Sequence, residues 1–404
     1  MRLPQTSRAR PRIVLAALVF LTFGAAFVAS YLAPLAISEN EFNVVEWEVR
    51  NLPGKWLYLG GRLIHGRLST QEEDARIASF LDLTARIERL RRSELITGVS
   101  AQELADLERQ RRALENDVEA ILEGRITEVL HETGLESSLP LFPKARWVFP
   151  PVDIEFDEPP NELVISPRER IELIDQRPLR ADLSVEEIVA IEANEERGSS
   201  RSALVEPLAG AATYPSLIEP DWDYQRLVEI AAHEWVHHYL FFHPLGRNFH
   251  SSLELRTLNE TVASVAGHEL SLIVMLLNPL HPPYDQPIVT SQQTGVDAGA
   301  VLRQLRTDVD ALLAFGQIDA AEALMERRRR ELAGQGVSYR RINQAFFAFR
   351  NVYATEAGST DPIGLKIAAL RVRSGTVGAF LRQAASIASE ADLDRAVSGD
   401  DRGR

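Results

Sequence analysis

Between Asp221 and Leu277 the chain carries His233, Glu234 and His237, followed on a second apolar stretch by Asn259-Glu260-Thr261. No other feature constrains the fold as much, because this spacing works chemically only on helices. Residues four apart on a helix stand one turn above each other, so His233 and His237 can hold one ion between them. Glu234 is carried close to the same ion, where a carboxylate can take a proton from coordinated water. Glu260 would add a third ligand from the next helix and leave the fourth position open. That is the layout of a catalytic zinc site, with one ion per chain.

Other histidines compete for the third position. His243 follows His233 by ten residues, but Leu240 stands where a glycine would be needed to turn the chain back. Tyr239-Leu240-Phe241-Phe242 reads as continuing helix, and at about 100° per residue His243 and His238 then face away from the His233/His237 side. His250 falls in a polar loop, and His268 lies two turns beyond Glu260. Glu260 leads these candidates.

Composition narrows the partners. A net charge of −14 argues against nucleic acid, which requires basic patches. Cysteine is absent, which removes disulfides, thiolate ligands and cysteine nucleophiles together. At the N-terminus, basic residues 1–12 (Arg2, Arg8, Arg10 and Arg12) precede an apolar run over 13–37, long enough for a transmembrane helix. A cleaved signal peptide, with Val28-Ala29-Ser30 as its cleavage site, is the alternative. Acidic residues follow the run, so the N-terminus is expected in the cytoplasm and the body outside the membrane. With cleavage, the body becomes a secreted or periplasmic protein.

The remaining chain predicts an α+β fold that is mostly helical. Residues 38–68 form a juxtamembrane segment whose Trp47, Trp56, Leu57, Tyr58 and Leu59 suit a membrane interface or a packed short element. Residues 69–132 predict a helical hairpin opened by Thr70…Glu73 and Ser100…Glu103 capping boxes. It reads as a solvated spacer with a surface for a protein partner. Residues 139–220 predict one small mixed sheet, with strands near 147–149, 152–156, 163–166, 171–174, 203–207 and 211–214 and a helix opened by Ser184. Residues 221–395 form the helical metal-site region, started by Asp221 or Asp223. It includes a long amphipathic helix from Val296 to Ala333 and a block from Tyr339 to Tyr353. Residues 396–404 read as a polar tail.

The motif His233-Glu234-x-x-His237 with Asn259-Glu260 on the next helix resembles the glutamate-zincin superfamily of zinc metallopeptidases. More narrowly, Leu258-Asn259-Glu260-Thr261-Val262-Ala263 and Ile342-Asn343-Gln344-Ala345 leading to Tyr353 are similar to bacterial envelope proteins described as aminopeptidases. The likeness spans about residues 140 to 395. It implies a zincin-type helical catalytic region with the small sheet packed on it, and a peptide or protein substrate. Glu234 would be the general base, and a later tyrosine would donate to the oxyanion, Tyr353 first and Tyr339 second. Substrate would add to a sheet edge at Gly210-Ala211-Ala212-Thr213-Tyr214. Thermolysin-like members orient a zinc histidine with an aspartate four residues after the ligand glutamate. Ser264 stands there, so another group must hold the ring.

Overall fold

The computed structural model describes residues 40–44, 46–48, 50, 68–97, 101–139, 142–280, 296–356 and 358–399. The expected membrane span at 13–37, the aromatic stretch from Trp56 to Leu59 and residues 400–404 lie outside them. The described chain is mostly helical with small sheets.

Helices α1 (Thr70–Thr97) and α2 (Ala101–Glu132) pack side by side as a hairpin. The capping box of α1 sits one residue earlier than expected. The Ser69 N–H donates to Glu72 Oε2 at 2.8 Å, and the Glu72 N–H returns to Ser69 Oγ at 3.4 Å. The hairpin is not a solvated spacer, since Val118, Ile121, Leu122, Ile126, Val129 and Leu130 share one core with Trp235 and Leu258. Its arginines also reach the start of the helix that carries His233 and His237. Arg91 and Arg111 both pair with Asp221, Arg91 at 2.8 Å, and buried Arg125 donates to Tyr224 Oη at 2.7 Å and Asp74 at 2.6 Å. An apolar stripe tells that one helix face is covered, but not by what.

The β-rich stretch forms a hairpin and two three-stranded sheets, where a single mixed sheet was expected. Strands β1 (Glu136–Leu139) and β2 (Phe142–Val148) pair antiparallel. Strands β4 (Asn161–Pro167), β5 (Asp175–Leu179) and β6 (Arg201–Pro207) form an antiparallel sheet in the order β5-β4-β6. Every residue of β4 is buried because both faces are covered. Leu163 and Ile165 pack with Ile188 and Ile191 of α3 (Val185–Glu196), while Val164 faces a second helical layer. Two covered faces explain why its centre reads Leu-Val-Ile without alternation. Residues 171–174, expected as a strand, form a loop whose Ile171 and Leu173 lie against that second layer.

Strand β5 carries Pro178 on the sheet edge, and the N-terminal segment covers that edge. Glu41 bridges to Leu179, and the Phe42 N–H donates to the Pro178 carbonyl at 3.1 Å. Trp47 follows, 3% exposed, and donates from Nε1 to Asp157 at 2.7 Å. Of the two settings expected for it, Trp47 takes the packed one.

The other sheet joins β3 (Ile154–Phe156), β8 (Ser216–Ile218) and β7 (Gly210–Ala211), with β3 parallel and β7 antiparallel to β8. Glu123 and Glu119 of α2 accept the Ile154 and Phe156 N–H groups at 3.0 and 2.8 Å, so β3 leaves neither donor unsatisfied.

Two helices carry the site. Helix α4 (Tyr224–Phe241) is capped by Asp223, which accepts the Arg226 N–H at 2.9 Å, leaving Asp221 for the hairpin arginines. The short α5 (Pro244–Arg247) leads to α6 (Leu253–Leu277), and α4 against α6 is the most extensive contact between elements. Among the described residues, α6 is the helix long and apolar enough to cross a membrane. Its Leu258, Val262, Ala263, Ala266, Leu270 and Val274 are instead buried in the core of the protein. Trp235 is fully buried opposite, with Nε1 donating to the Pro150 carbonyl at 2.8 Å. Truncating it to alanine would cost about 3–5 kcal/mol.

The pattern from Val296 to Ala333 is two helices, α7 (Ala298–Ala314) and α8 (Ile318–Gly334), broken at Gly316 with φ of +71°. Periodicity continues through such a break because glycine reverses the chain in two or three residues. Helices α9 (Gln344–Val352), α10 (Ile363–Ser374), α11 (Val377–Ala385) and α12 (Glu390–Ser398) complete the fold. The expected tail begins inside α12, where Ala396 and Val397 pack on the main core.

Candidate metal centre

Helix α4 presents His233 and His237 one turn apart, and α6 presents Glu260 opposite them. Gly267 permits the approach: a Cβ there would lie 2.9 Å from the His233 backbone nitrogen and 3.0 Å from its Cα. The two Nε2 atoms are 3.0 Å apart, and Glu260 Oε2 lies 3.5 Å from that of His233 and 3.2 Å from that of His237. Ligand bonds of 2.0–2.2 Å in a tetrahedron put donor atoms about 3.3 Å apart, so this triangle fits a zinc ion. Among the described residues it is the group of three whose donor atoms converge closely enough to hold a metal.

The electrostatics point the same way. Burial disfavours the His237 imidazolium, yet Glu260 outweighs that and pushes the ring up to about 9. Burial also opposes ionisation of Glu260, and the two histidines overcome it and hold the carboxyl far below its usual range. The two histidines and Glu260 thus stabilise opposite charges on one another.

Asn259 orients the site. His237 Nδ1 donates to its Oδ1 at 2.8 Å, which orients the ring so that Nε2 faces His233 and Glu260. Asn259 therefore holds the ring from the residue before the ligand, a role that the spacing around Ser264 did not reveal.

Glu234 is 7% exposed, and burial raises its pKa despite the two histidines. Its position is set by Gly210 of β7, where a Cβ would come within 2.7 Å of both Glu234 Oε1 and Ile230 Cγ2. The strand backbone thus passes directly over the carboxylate. The five-residue edge strand expected at 210–214 is shorter, because only Gly210 and Ala211 pair with β8. Thr213 and Tyr214 are buried at 4% and 1% exposure, so they offer no open edge. They are held by two groups invisible to spacing. His238 Nε2 donates to the Thr213 carbonyl at 2.8 Å, and Glu48 accepts the Tyr214 N–H at 3.3 Å. Burial keeps His238 neutral, lowering it to about 4.

Of the two tyrosines, Tyr353 reaches the site and Tyr339 does not. The Tyr353 ring lies 6.4 Å from that of His233. The next residue is tied to α6, its Ala354 N–H donating to Thr261 Oγ1 at 3.0 Å beside Glu260. Burial and the nearby Glu260 and Glu234 raise the Tyr353 hydroxyl well above its ordinary pKa, so it remains a neutral donor. Tyr339 packs edge-on against Phe346 at 5.5 Å in the second core.

The other candidates for the third ligand position lie elsewhere. His243 is the N-cap of α5 with its ring 4.5 Å from Tyr239, His250 packs on Phe249 at 4.9 Å, and His268 lies 3.6 Å from Glu229.

Compared with models of protein families, with curated proteins and with solved structures, the chain matches none. The case for a metal centre rests on the donor atoms themselves.

Proposed function

We propose that the protein is a zinc-dependent peptide hydrolase of the glutamate-zincin type, anchored in a membrane by its N-terminal segment with the body outside. One observation carries the reading. His233 Nε2, His237 Nε2 and Glu260 Oε2 form a triangle of 3.0, 3.2 and 3.5 Å with the buried Glu234 carboxylate alongside. A scaffold site that only binds metal has no use for a second, non-ligating carboxylate held there against its burial cost.

His233, His237 and Glu260 would hold the ion, with Asn259 keeping His237 in register. When bound, zinc supplies Lewis acidity and lowers the pKa of coordinated water to about 7. Glu234 accepts the proton of the attacking water and passes it to the departing amide nitrogen. Tyr353 donates its hydroxyl proton as a hydrogen bond to the carbonyl oxygen as charge develops there. Gly210 and Ala211, with no bulky side chain over Glu234, leave the backbone of β7 free to align an extended peptide.

The test is to incubate wild type and Glu234→Gln with a diverse peptide library and read new termini by mass spectrometry. Stoichiometric zinc in both proteins and new termini only with wild type is the expected result. Zinc without any new termini would turn the reading towards a binding scaffold or a hydrolase of non-peptide amides and esters. Absence of zinc, with His233→Ala and His237→Ala melting like wild type, would end the metal reading altogether.

A further inference from the structure

Arg256 stands one turn before Glu260 on α6, so both side chains leave the helix on the same face. Its guanidinium covers the Phe249 ring, Cζ lying 5.3 Å from the centroid. Phe249 in turn stands edge-on to His237, ring centres 6.4 Å apart at 88°. From this seat the charge of Arg256 is felt by both Tyr353 and Glu162, a buried glutamate of β4. Arg256 is therefore part of the wall around the metal ligands.

Its hydrogen-bonding capacity is unused. Among the described residues the Arg256 side chain makes no hydrogen bond or ion pair, and its Nε is closed to solvent without an acceptor. Neighbouring arginines differ: Arg226 pairs with Glu229 at 3.0 Å, Arg350 with Glu206 at 4.0 Å, and Arg371 with Glu269. Glu162, the obvious partner, instead takes a hydrogen bond from Gln176 of the adjacent strand and is itself pushed up to about 7 by burial. A planar guanidinium held on an aromatic face, with its donors unspent beside a reaction centre, is shaped to receive a carboxylate. One guanidinium neutralises a monoanion, whereas a dianion would leave net negative charge beside Glu162 and Glu260.

We propose that Arg256 is a subsite for a carboxylate carried by the substrate, on the Phe249 side of the metal centre. The carboxylate is either the free C-terminus of a short peptide or an acidic side chain next to the scissile bond. This subsite rests on the peptide-hydrolase reading, and it would make the enzyme selective for anionic peptides.

The test uses the full-length, zinc-loaded Glu234→Gln protein, which should bind peptides without cleaving them, alone and combined with Arg256→Met or Arg256→Lys. Calorimetry compares N-acetylated tripeptides as C-terminal acids or amides, and with Asp or Glu against Asn or Gln at each position. Arg256→Met should weaken binding of the carboxylate-bearing member about tenfold or more and leave its neutral twin unchanged. Arg256→Lys should recover part of the difference. Discrimination in the acid/amide pair assigns the C-terminus, and discrimination in the side-chain pair assigns an acidic residue. Equal loss for both members of every pair, or no preference for carboxylates before Arg256 is changed, would overturn the subsite. Arg256-dependent carboxylate binding without cleavage of any peptide by wild type would instead remove the hydrolase reading and leave the subsite standing.

Discussion

His237 Nδ1 donates to Asn259 Oδ1 at 2.8 Å, so the residue before one candidate ligand, Glu260, orients another, His237, on a different helix. Such outer partners are typically worth 10–100-fold in metal affinity. Asn259→Leu should therefore weaken zinc binding by about that factor, measured by competition with a chromogenic chelator. Asn259→Asp keeps an acceptor and should retain tight binding. If Asn259→Leu binds zinc as tightly as wild type, the ring is held by something else.

Gly210→Ala places a methyl group where Glu234 Oε1 and Ile230 Cγ2 now lie, each within 2.7 Å. The carboxylate or the strand must move, at a cost of about 1–3 kcal/mol. The expected result is a lower melting temperature, unchanged zinc stoichiometry and a large drop in kcat. Full turnover in this variant would show that Glu234 has room to spare.

Tyr353→Phe should lower kcat by about 10²-fold or more with little change in KM, since the donor acts on charge that appears only during reaction. Tyr339→Phe, in the second core, should leave both constants alone. A Tyr353→Phe enzyme with wild-type kcat would assign the oxyanion to another donor.

Glu48 links the N-terminal segment to Tyr214 and is raised by burial from 4.5 to about 7. Its folded-state pKa lies above the unfolded one, so the native protein holds this proton more tightly. Stability from this group thus falls as pH rises from about 4.5 to 7 and is level above that. Glu48→Gln keeps an acceptor for the Tyr214 N–H and removes the charge. It should stabilise the protein by about 3 kcal/mol at pH 8 and have little effect at pH 4.5. Denaturant melts of both proteins at the two pH values measure the difference; a gain that is equal at both would rule out burial of the charge as its cause.

Much of the site was legible in the sequence because it depends on local geometry. Four-residue spacing on a helix settles where His233 and His237 point, and of the two starts offered by sequence, Asp221 and Asp223, Asp223 is the cap. Leu240 lies in helix as expected, but α4 ends at Phe241, so His243 is turned away by the extended start of α5 and not by a longer α4. Local pattern was a poorer guide to the sheets, where residues 171–174 have strand-like composition but serve as a packed loop.

Contacts far apart in sequence had to be decided by the tertiary structure. The approach of Gly210 to Glu234, the hold of Glu48 on Tyr214 and the tie of Ala354 to Thr261 join residues whose chain separation carries no periodic signal. The hairpin α1–α2 has the same cause: its apolar stripe was readable, and its burial against α4 and α6 was not. The chain by itself determined which residues can bind a metal, because backbone helicity sets side-chain direction over one turn. The tertiary structure alone decided what surrounds them, because packing selects among the many surfaces that an amphipathic segment is able to cover.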